Sequence, residues 1–133
     1  MFRATFFSTL FALFALISFV NAIVVNPKIT YPSSGTKWTA GQNVTVKWKT
    51  TYGPDKTPIP EIMRGYIKLG YFEKGDKYNE HLKWDLASNF SLSSGAQRVT
   101  LPSDLETKRS YIIVLMGDSG NASKEFTIRA ARK

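Results

Sequence analysis

The sequence predicts an all-β protein, an antiparallel sandwich of about seven short strands, on three observations. Apolar and polar residues alternate with a period of two through nearly all of the chain after residue 22, as in strands with one buried face. Clusters of Gly, Pro, Ser, Asn and Asp separate the alternating runs. No stretch keeps the helical period over the length that a stable helix needs. This combination is typical of immunoglobulin-like or fibronectin type III-like sandwiches.

The strands are predicted from their apolar positions. In chain order, these are Val44, Val46 and Trp48; Ile67, Leu69 and Tyr71; Leu82, Trp84 and Leu86; Val99 and Leu101; and Phe126 and Ile128. The run 111–116 is apolar on both parities, which predicts a central strand covered on both sides. Turns are predicted at 32–35, 40–43, 74–76 and 118–121, and the last of them closes a hairpin. The segment 52–60 holds three prolines, so it is predicted to be a loop or an edge segment.

Two aromatic features refine the fold prediction. Leu105 precedes Tyr111, and Tyr111 opens the most apolar run. This arrangement suits the tyrosine corner of sandwich proteins, in which the hydroxyl bonds to upstream backbone. Trp48 shares its parity with two valines and is predicted to lie in the core. For Trp38 and Trp84 the pattern leaves both a core position and an exposed one open.

The first 22 residues are expected to be a cleaved signal peptide. Arg3 supplies a positive n-region, residues 4–20 are apolar, and Val20 and Ala22 suit the −3 and −1 positions of a signal-peptidase site. A transmembrane helix is the alternative, but the run is short for a span and no basic stop-transfer cluster follows it. The mature chain is expected to be a single domain, residues 23–133, with no membrane anchor after cleavage, because the C-terminal segment is basic where an anchor signal would be apolar.

The composition narrows the classes of function. The chain has no cysteine, so the secreted domain must be held by its core and hydrogen bonds, and thiol catalysis and Cys-ligated zinc are excluded. The formal net charge is +8, or +7 without Arg3 (17 basic less 10 acidic residues). Such a charge favours acidic partners, among them phosphorylated or uronic-acid glycans, although a solvated lysine-rich surface explains it equally well.

Several short motifs together resemble one family. They are Ile29-Thr30-x-Pro32, Gly35-Thr36-x-Trp38-x-Ala40-Gly41, Val44-Thr45-Val46-x-Trp48, Leu101-Pro102-x-Asp104-Leu105, Tyr111 and Phe126-Thr127-Ile128. In this order they resemble the N-terminal immunoglobulin-like domain of the Kre/Knh-type fungal cell-wall synthesis family (Ser/Thr-rich GPI-anchored membrane proteins). The resemblance implies a module of a fungal secretome, associated with the wall and with β-1,6-glucan assembly. It carries over no catalytic residue.

Enzymatic activity is not expected. The acidic residues fall in turns or at water-facing strand positions, whereas a glycoside hydrolase needs a pair of carboxyl groups in a cleft. The lone histidine, His81, cannot build a His-rich metal site, and the predicted mature chain begins with Ile23 and not with a metal-binding histidine. No cofactor and no metal site are therefore predicted.

Two functions remain open, both for a monomer that is secreted to the extracellular space or the cell wall. In the first, the protein binds or organises wall polysaccharide of the β-glucan type, or a cell-surface glycoprotein. The candidate rings for stacking on sugar are Trp38, Tyr52, Tyr71, Tyr78 and Trp84. In the second, it is an effector that docks on a protein or an anionic surface through a basic patch of Lys37, Lys47 and Lys49. Nucleic acid is not expected as a partner, because the chain is exported and carries no nucleic-acid-binding motif.

Three N-glycosylation sequons begin at Asn43, Asn89 and Asn121. After a signal peptide, use of at least one of them is expected. Asn121 lies in a predicted Gly-containing turn and is predicted to be the best exposed of the three. Asn43 and Asn89 are predicted to lie at strand ends.

Overall fold

A computed structural model of the chain describes residues 25–117 and 120–132. The predicted signal peptide, residues 1–22, lies outside the described residues, as do Asp118 and Ser119 of the predicted 118–121 turn. No helix in the described part is long and apolar enough to span a membrane.

Within these ranges the chain forms eleven strands and one short 3-10 turn. They are β1 (Ile29–Tyr31), β2 (Lys37–Thr39), β3 (Asn43–Trp48), β4 (Thr51–Tyr52), β5 (Thr57–Pro58), β6 (Arg64–Tyr71), β7 (Trp84–Ser91), the 3-10 turn Leu92–Ser94, β8 (Ala96–Thr100), β9 (Lys108–Met116), β10 (Gly120–Ala122) and β11 (Phe126–Arg129). The strand count exceeds the predicted seven because five of these strands have three residues or fewer. The proline-containing segment 52–60, predicted to be a loop or an edge segment, contributes to the small β4–β5 hairpin.

The strands form a sandwich of two sheets, as predicted. The smaller sheet has the order β1-β3-β8, and the larger has the order β2-β11-β9-β6-β7 with β10 beside one end of β9. One core cluster takes buried side chains from both sheets. The described pairs are antiparallel except β2–β11, which is parallel.

The parallel pair arises because the N-terminal strand is divided between the sheets. β1 pairs with β3 in the smaller sheet, and β2 then pairs with β11 in the larger one. The turn between them is held by Thr36, whose backbone N–H donates to the Ser33 carbonyl and whose Oγ1 accepts from the Ser33 N–H at 2.9 Å. One length of chain thereby pairs with both sheets along one side of the sandwich.

The buried residues confirm the strand faces that were predicted from the alternation of apolar and polar residues. Val44, Val46 and Trp48 are buried, whereas Lys47 and Lys49 on the opposite parity are exposed. Residues 111–115 of β9 are all buried, because β9 lies between β6 on one side and β10 and β11 on the other. The prediction of a central strand for this run is therefore confirmed.

Trp48 joins the two layers of the sandwich. Its ring is 4% exposed and packs 5.5 Å from Phe90 of β7 in the opposite sheet. The indole Nε1–H donates to the carbonyl of Leu92 at 2.8 Å, in the turn that carries the chain back to the smaller sheet. A buried carbonyl without a partner is costly, so this bond fixes both the turn and the ring.

Trp38 is also a core residue. It is 3% exposed and packs edge-on against Phe126, with ring centroids 4.8 Å apart. Its Nε1–H donates to the hydroxyl of Tyr31 at 3.2 Å. Tyr31 itself is 38% exposed, so its hydroxyl has access to water as an alternative partner.

We expect Trp48→Phe to lower the free energy of unfolding more than Trp38→Phe does. Both changes remove the same ring volume, but only the first leaves a buried carbonyl, that of Leu92, without its donor. The difference should be about 1–3 kcal/mol in urea denaturation. A difference below about 0.5 kcal/mol would show that the Trp48–Leu92 hydrogen bond does not hold the turn.

Candidate functional site

A cluster of aromatic rings lies at one end of the inner face of the larger sheet. In the register of the sheet, Tyr71 of β6 lies opposite Tyr111 of β9, and Trp84 of β7 lies opposite Leu69. The Tyr71 ring centroid is 6.1 Å from that of Trp84 and 6.4 Å from that of Tyr111, and the Trp84 and Tyr111 centroids are 6.3 Å apart. Tyr111 is fully buried, while Tyr71 and Trp84 are half-buried. The cluster is therefore core on one side and accessible surface on the other.

A glycine brings a further ring beneath Tyr71. Gly70 has no side chain, so residues 80–82 pack directly over it, and the Glu80 carbonyl accepts from the Tyr71 N–H at 3.0 Å. His81, at a φ of +37°, then stacks on Tyr71 with centroids 4.9 Å apart and planes 11° apart. One face of Tyr71 is covered in this way.

The predicted tyrosine corner is also part of this aromatic cluster, through Tyr111. The Tyr111 hydroxyl donates to the Glu106 carbonyl at 2.6 Å, and Leu105 is buried beside it. Burial raises the pKa of Tyr111 to about 12, and the negative charge of Glu106 and then Tyr71 add to the increase. The neutral phenol therefore holds the segment where the chain crosses from the smaller sheet to the larger.

These elements enclose a pocket of about 390 Å³. Its lining residues are Tyr71, Lys83, Trp84, Asp104, Leu105, Glu106, Lys108 and Tyr111. The Lys108 Nζ lies 4.8 Å from the Tyr71 centroid and 3.7 Å from a carboxylate oxygen of Glu106. The Lys83 Nζ lies 5.9 Å from the Tyr71 centroid and 5.7 Å from that of Trp84. Aromatic rings thus form the floor, and charged hydrogen-bonding groups form the rim.

Residues 31–128 match the family described as the Kre9/KNH-like N-terminal Ig-like domain. The chain belongs to the Kre9/KNH family. This family is linked to fungal cell-wall β-glucan synthesis, and it is cell-wall associated. No curated protein and no solved structure matches the chain.

In this Kre9/KNH domain, the five candidate stacking rings do not share one surface. Tyr71 and Trp84 line the pocket. Trp38 cannot stack on a ligand, because it is buried against Phe126 in the core, and this corrects its place among the candidates. Tyr52 packs against the core from the β4–β5 hairpin, and Tyr78 is 99% exposed on the loop before β7.

The three lysines of the predicted basic patch are also separated. Lys47 and Lys49 are exposed on the outer side of the smaller sheet, where Lys47 belongs to β3. Lys37 is exposed on β2 of the larger sheet, where its neighbour Trp38 points into the core. The outer faces of two packed sheets point in opposite directions, so the predicted single patch is wrong.

The sequons differ in accessibility, and not as predicted. Asn43 and Asn89 are exposed, and Asn89 has a φ of +56° in β7. Asn121 is half-buried, and its Nδ2, the atom that a glycan would modify, donates to the carbonyl of Pro27. The prediction that Asn121 is the best exposed of the three is therefore wrong.

Most of the rim of the pocket was not predicted from the sequence. Lys83, Asp104, Glu106 and Lys108 come from two separate segments, and only the register of β6, β7 and β9 brings them together. The tyrosine corner was the one signal that could have located the pocket, since it fixes Glu106 beside Tyr111. Within residues 25–117 and 120–132, no three His, Asp or Glu side chains converge as metal ligands would.

The raised pKa of Tyr111 predicts a stability change at high pH. The folded pKa of about 12 exceeds the unfolded value of 10.0, so the contribution of Tyr111 is complete below pH 10 and declines as the pH rises towards 12. Tyr111→Phe should cost about 1–2 kcal/mol at neutral pH, because the Glu106 carbonyl loses its donor. Urea denaturation as a function of pH should then show a shallower decline above pH 10 in the variant. Parallel declines in both proteins would contradict this role.

Gly70→Ala should disturb the packing of residues 80–82 over Gly70, which positions His81 against Tyr71. A β-carbon at this position would clash with the Glu80 carbonyl oxygen and lie 2.7 Å from the Leu82 Cδ2. We expect a loss of about 1–3 kcal/mol in unfolding free energy and a changed near-ultraviolet circular dichroism spectrum as the His81–Tyr71 stack moves. Gly35→Ala is the control, since nothing lies within 4 Å of its β-carbon position, and it should leave both quantities unchanged. Equal behaviour of the two variants would contradict the close packing at Gly70.

Proposed function

We propose that this protein is a secreted, non-catalytic module that binds polysaccharide of the fungal cell wall, of the β-glucan type, and so helps to organise it. One observation carries the proposal, namely that Tyr71 and Trp84 are half-buried in a pocket rimmed by two lysines and two carboxylates. Sites for sugars combine flat aromatic surface with converging polar groups in this way. The link of the family to β-glucan synthesis supports the choice of polysaccharide.

Trp84 is the ring best placed to stack on a sugar. Tyr71 has His81 on one face, and Lys108 lies 4.8 Å from its centroid. The contact of Lys83 with Trp84 is longer, at 5.7 Å, and Lys83 is exposed on a flexible four-carbon stem. A pyranose ring that displaces this ammonium would cover the indole, and the lysine would then donate hydrogen bonds to its hydroxyls.

The two carboxylates of the rim suit hydroxyl recognition better than hydrolysis. Asp104 and Glu106 are both exposed, and Glu106 lies 3.7 Å from the ammonium of Lys108. A glycosidase needs one carboxyl group held protonated, usually by burial away from cations. As acceptors for sugar hydroxyls, exposed carboxylates need no such environment.

Export is part of the proposal. It is supported by the signal-peptide pattern of residues 1–22 and by the wall association of the family. The proposed partner is a wall polysaccharide, or the glycan of a cell-surface glycoprotein, bound by a monomer.

The test is retention of residues 23–133 on insoluble β-glucan, with chitin and mannan as competing solids. We expect the protein to bind β-glucan best and Trp84→Ala to weaken retention about tenfold or more, as buried aromatic anchors do. Tyr78→Ala is the matched control, because Tyr78 is 99% exposed and outside the pocket.

Denaturation curves decide whether Trp84→Ala still folds. If it does not, Lys83→Met and Glu106→Gln together remove rim hydrogen bonds while leaving the ring in place, and they should weaken retention as well. Equal retention of the Trp84 and Tyr78 variants, or no retention of the unmodified protein, would refute polysaccharide binding at this pocket. Release of soluble sugar by the protein would refute the non-catalytic role.

A further inference from the structure

A second pocket, whose charged lining residues are all basic, lies on the outer face of the larger sheet. In the parallel β2–β11 register, Lys37 is opposite Thr127, and Thr39 is opposite Arg129. The intervening pair, Trp38 and Ile128, is buried in the core. Because side chains alternate along a strand, Lys37, Thr127 and Arg129 all point outward.

A β-bulge adds Arg109 to this group. Along β9 and β11 the paired positions step from Tyr111–Phe126 to Lys108–Ile128, so three positions on one strand match two on the other. Without the extra residue, Arg109 would share the parity of the buried Tyr111 and face inward. Bulges redirect side chains in this way, and Arg109 instead lines the outer pocket with Lys37 and Arg129.

The pocket has a volume of about 410 Å³ and is lined by Lys37, Thr107, Arg109, Thr127 and Arg129. No carboxylate is among these residues. Among the described residues, the ion pairs are Lys68–Asp85 and Lys108–Glu106, so none of the three cations of this pocket forms a direct ion pair with a described acidic side chain. The adjoining pocket that contains Glu73 and Glu125 shares only Arg109 with it.

One hydroxyl group of the pocket, that of Thr107, is positioned to donate a hydrogen bond. Thr107 Oγ1 accepts a hydrogen bond from the Ala130 N–H at 2.8 Å, which leaves its own hydrogen free to donate. Two guanidinium forks, an ammonium and two hydroxyls therefore converge on one volume. A tetrahedral oxyanion has enough acceptor sites for such a set, whereas a neutral sugar would leave the positive charges uncompensated.

We propose that this outer pocket binds the phosphate group of a phosphorylated saccharide. Three cations held together repel one another, and a bound dianion would relieve that repulsion. The site is distinct from the aromatic pocket, so a phosphorylated glycan would meet the protein on a different face from a neutral one.

The test uses isothermal titration of residues 23–133 at constant ionic strength with glucose 6-phosphate, inorganic phosphate and glucose. Both phosphates should bind, with glucose 6-phosphate at least as tight as inorganic phosphate, and glucose should not bind at this site. Lys37→Gln with Arg129→Gln should weaken phosphate binding by about tenfold or more, because each charge-assisted hydrogen bond is strong. Thermal unfolding without ligand establishes that the variant is folded.

Two controls separate this site from net charge and from the aromatic pocket. Lys47→Gln with Lys49→Gln removes the same two charges from the opposite face of the sandwich and should keep phosphate binding. Trp84→Ala should also keep it, even if glucan retention is lost. Equal weakening in both lysine-containing pairs, undiminished binding in the Lys37 and Arg129 variant, or binding of inorganic phosphate without glucose 6-phosphate would each overturn the proposal.

Discussion

The closure of the two sheets over Trp48 is the constraint on which the rest of this structure depends. A chain without cysteine has no covalent link between its layers, so the layers are held by buried side chains and by the few polar bonds that cross between them. Trp48 supplies both, because its ring fills the core against Phe90 while its N–H satisfies the Leu92 carbonyl. That carbonyl belongs to the turn through which β7 leads into β8. The bond therefore also sets how the chain passes from the larger sheet to the smaller one.

The return crossing is organised by the same kind of bond and produces the candidate site. The hydroxyl of Tyr111 donates to the Glu106 carbonyl, so the segment that leaves the smaller sheet is held against the aromatic cluster. Gly70 allows the loop before β7 to approach the backbone closely enough to place His81 under Tyr71. The pocket is thus built from interactions that the fold needs in any case, and the lysines and carboxylates at its rim are what give it a chemical character of its own.

β9 connects the two pockets. At Tyr111 its inward parity provides the wall of the aromatic pocket, and the bulge just before it turns Arg109 to the outer face beside Lys37 and Arg129. Since this irregularity determines how Arg109 points relative to Tyr111, the two faces of the larger sheet differ in character: aromatic with mixed charge on the inner face, and cationic with two threonines on the outer face.

The sequence by itself determined the sandwich, the family, the burial of Trp48 and the tyrosine corner, because alternation and short-range spacing are local properties that survive any choice of strand order. It also identified Tyr71 and Trp84 as candidate rings, though not as neighbours. Only the tertiary structure decided that Trp38 is core, that Asn121 is engaged with Pro27 and that Lys37 is separated from Lys47 and Lys49. These outcomes depend on which sheet a strand joins and on its register. Hydrogen bonds between residues far apart in the chain set both, and a one-residue change in pairing reverses which way a side chain points.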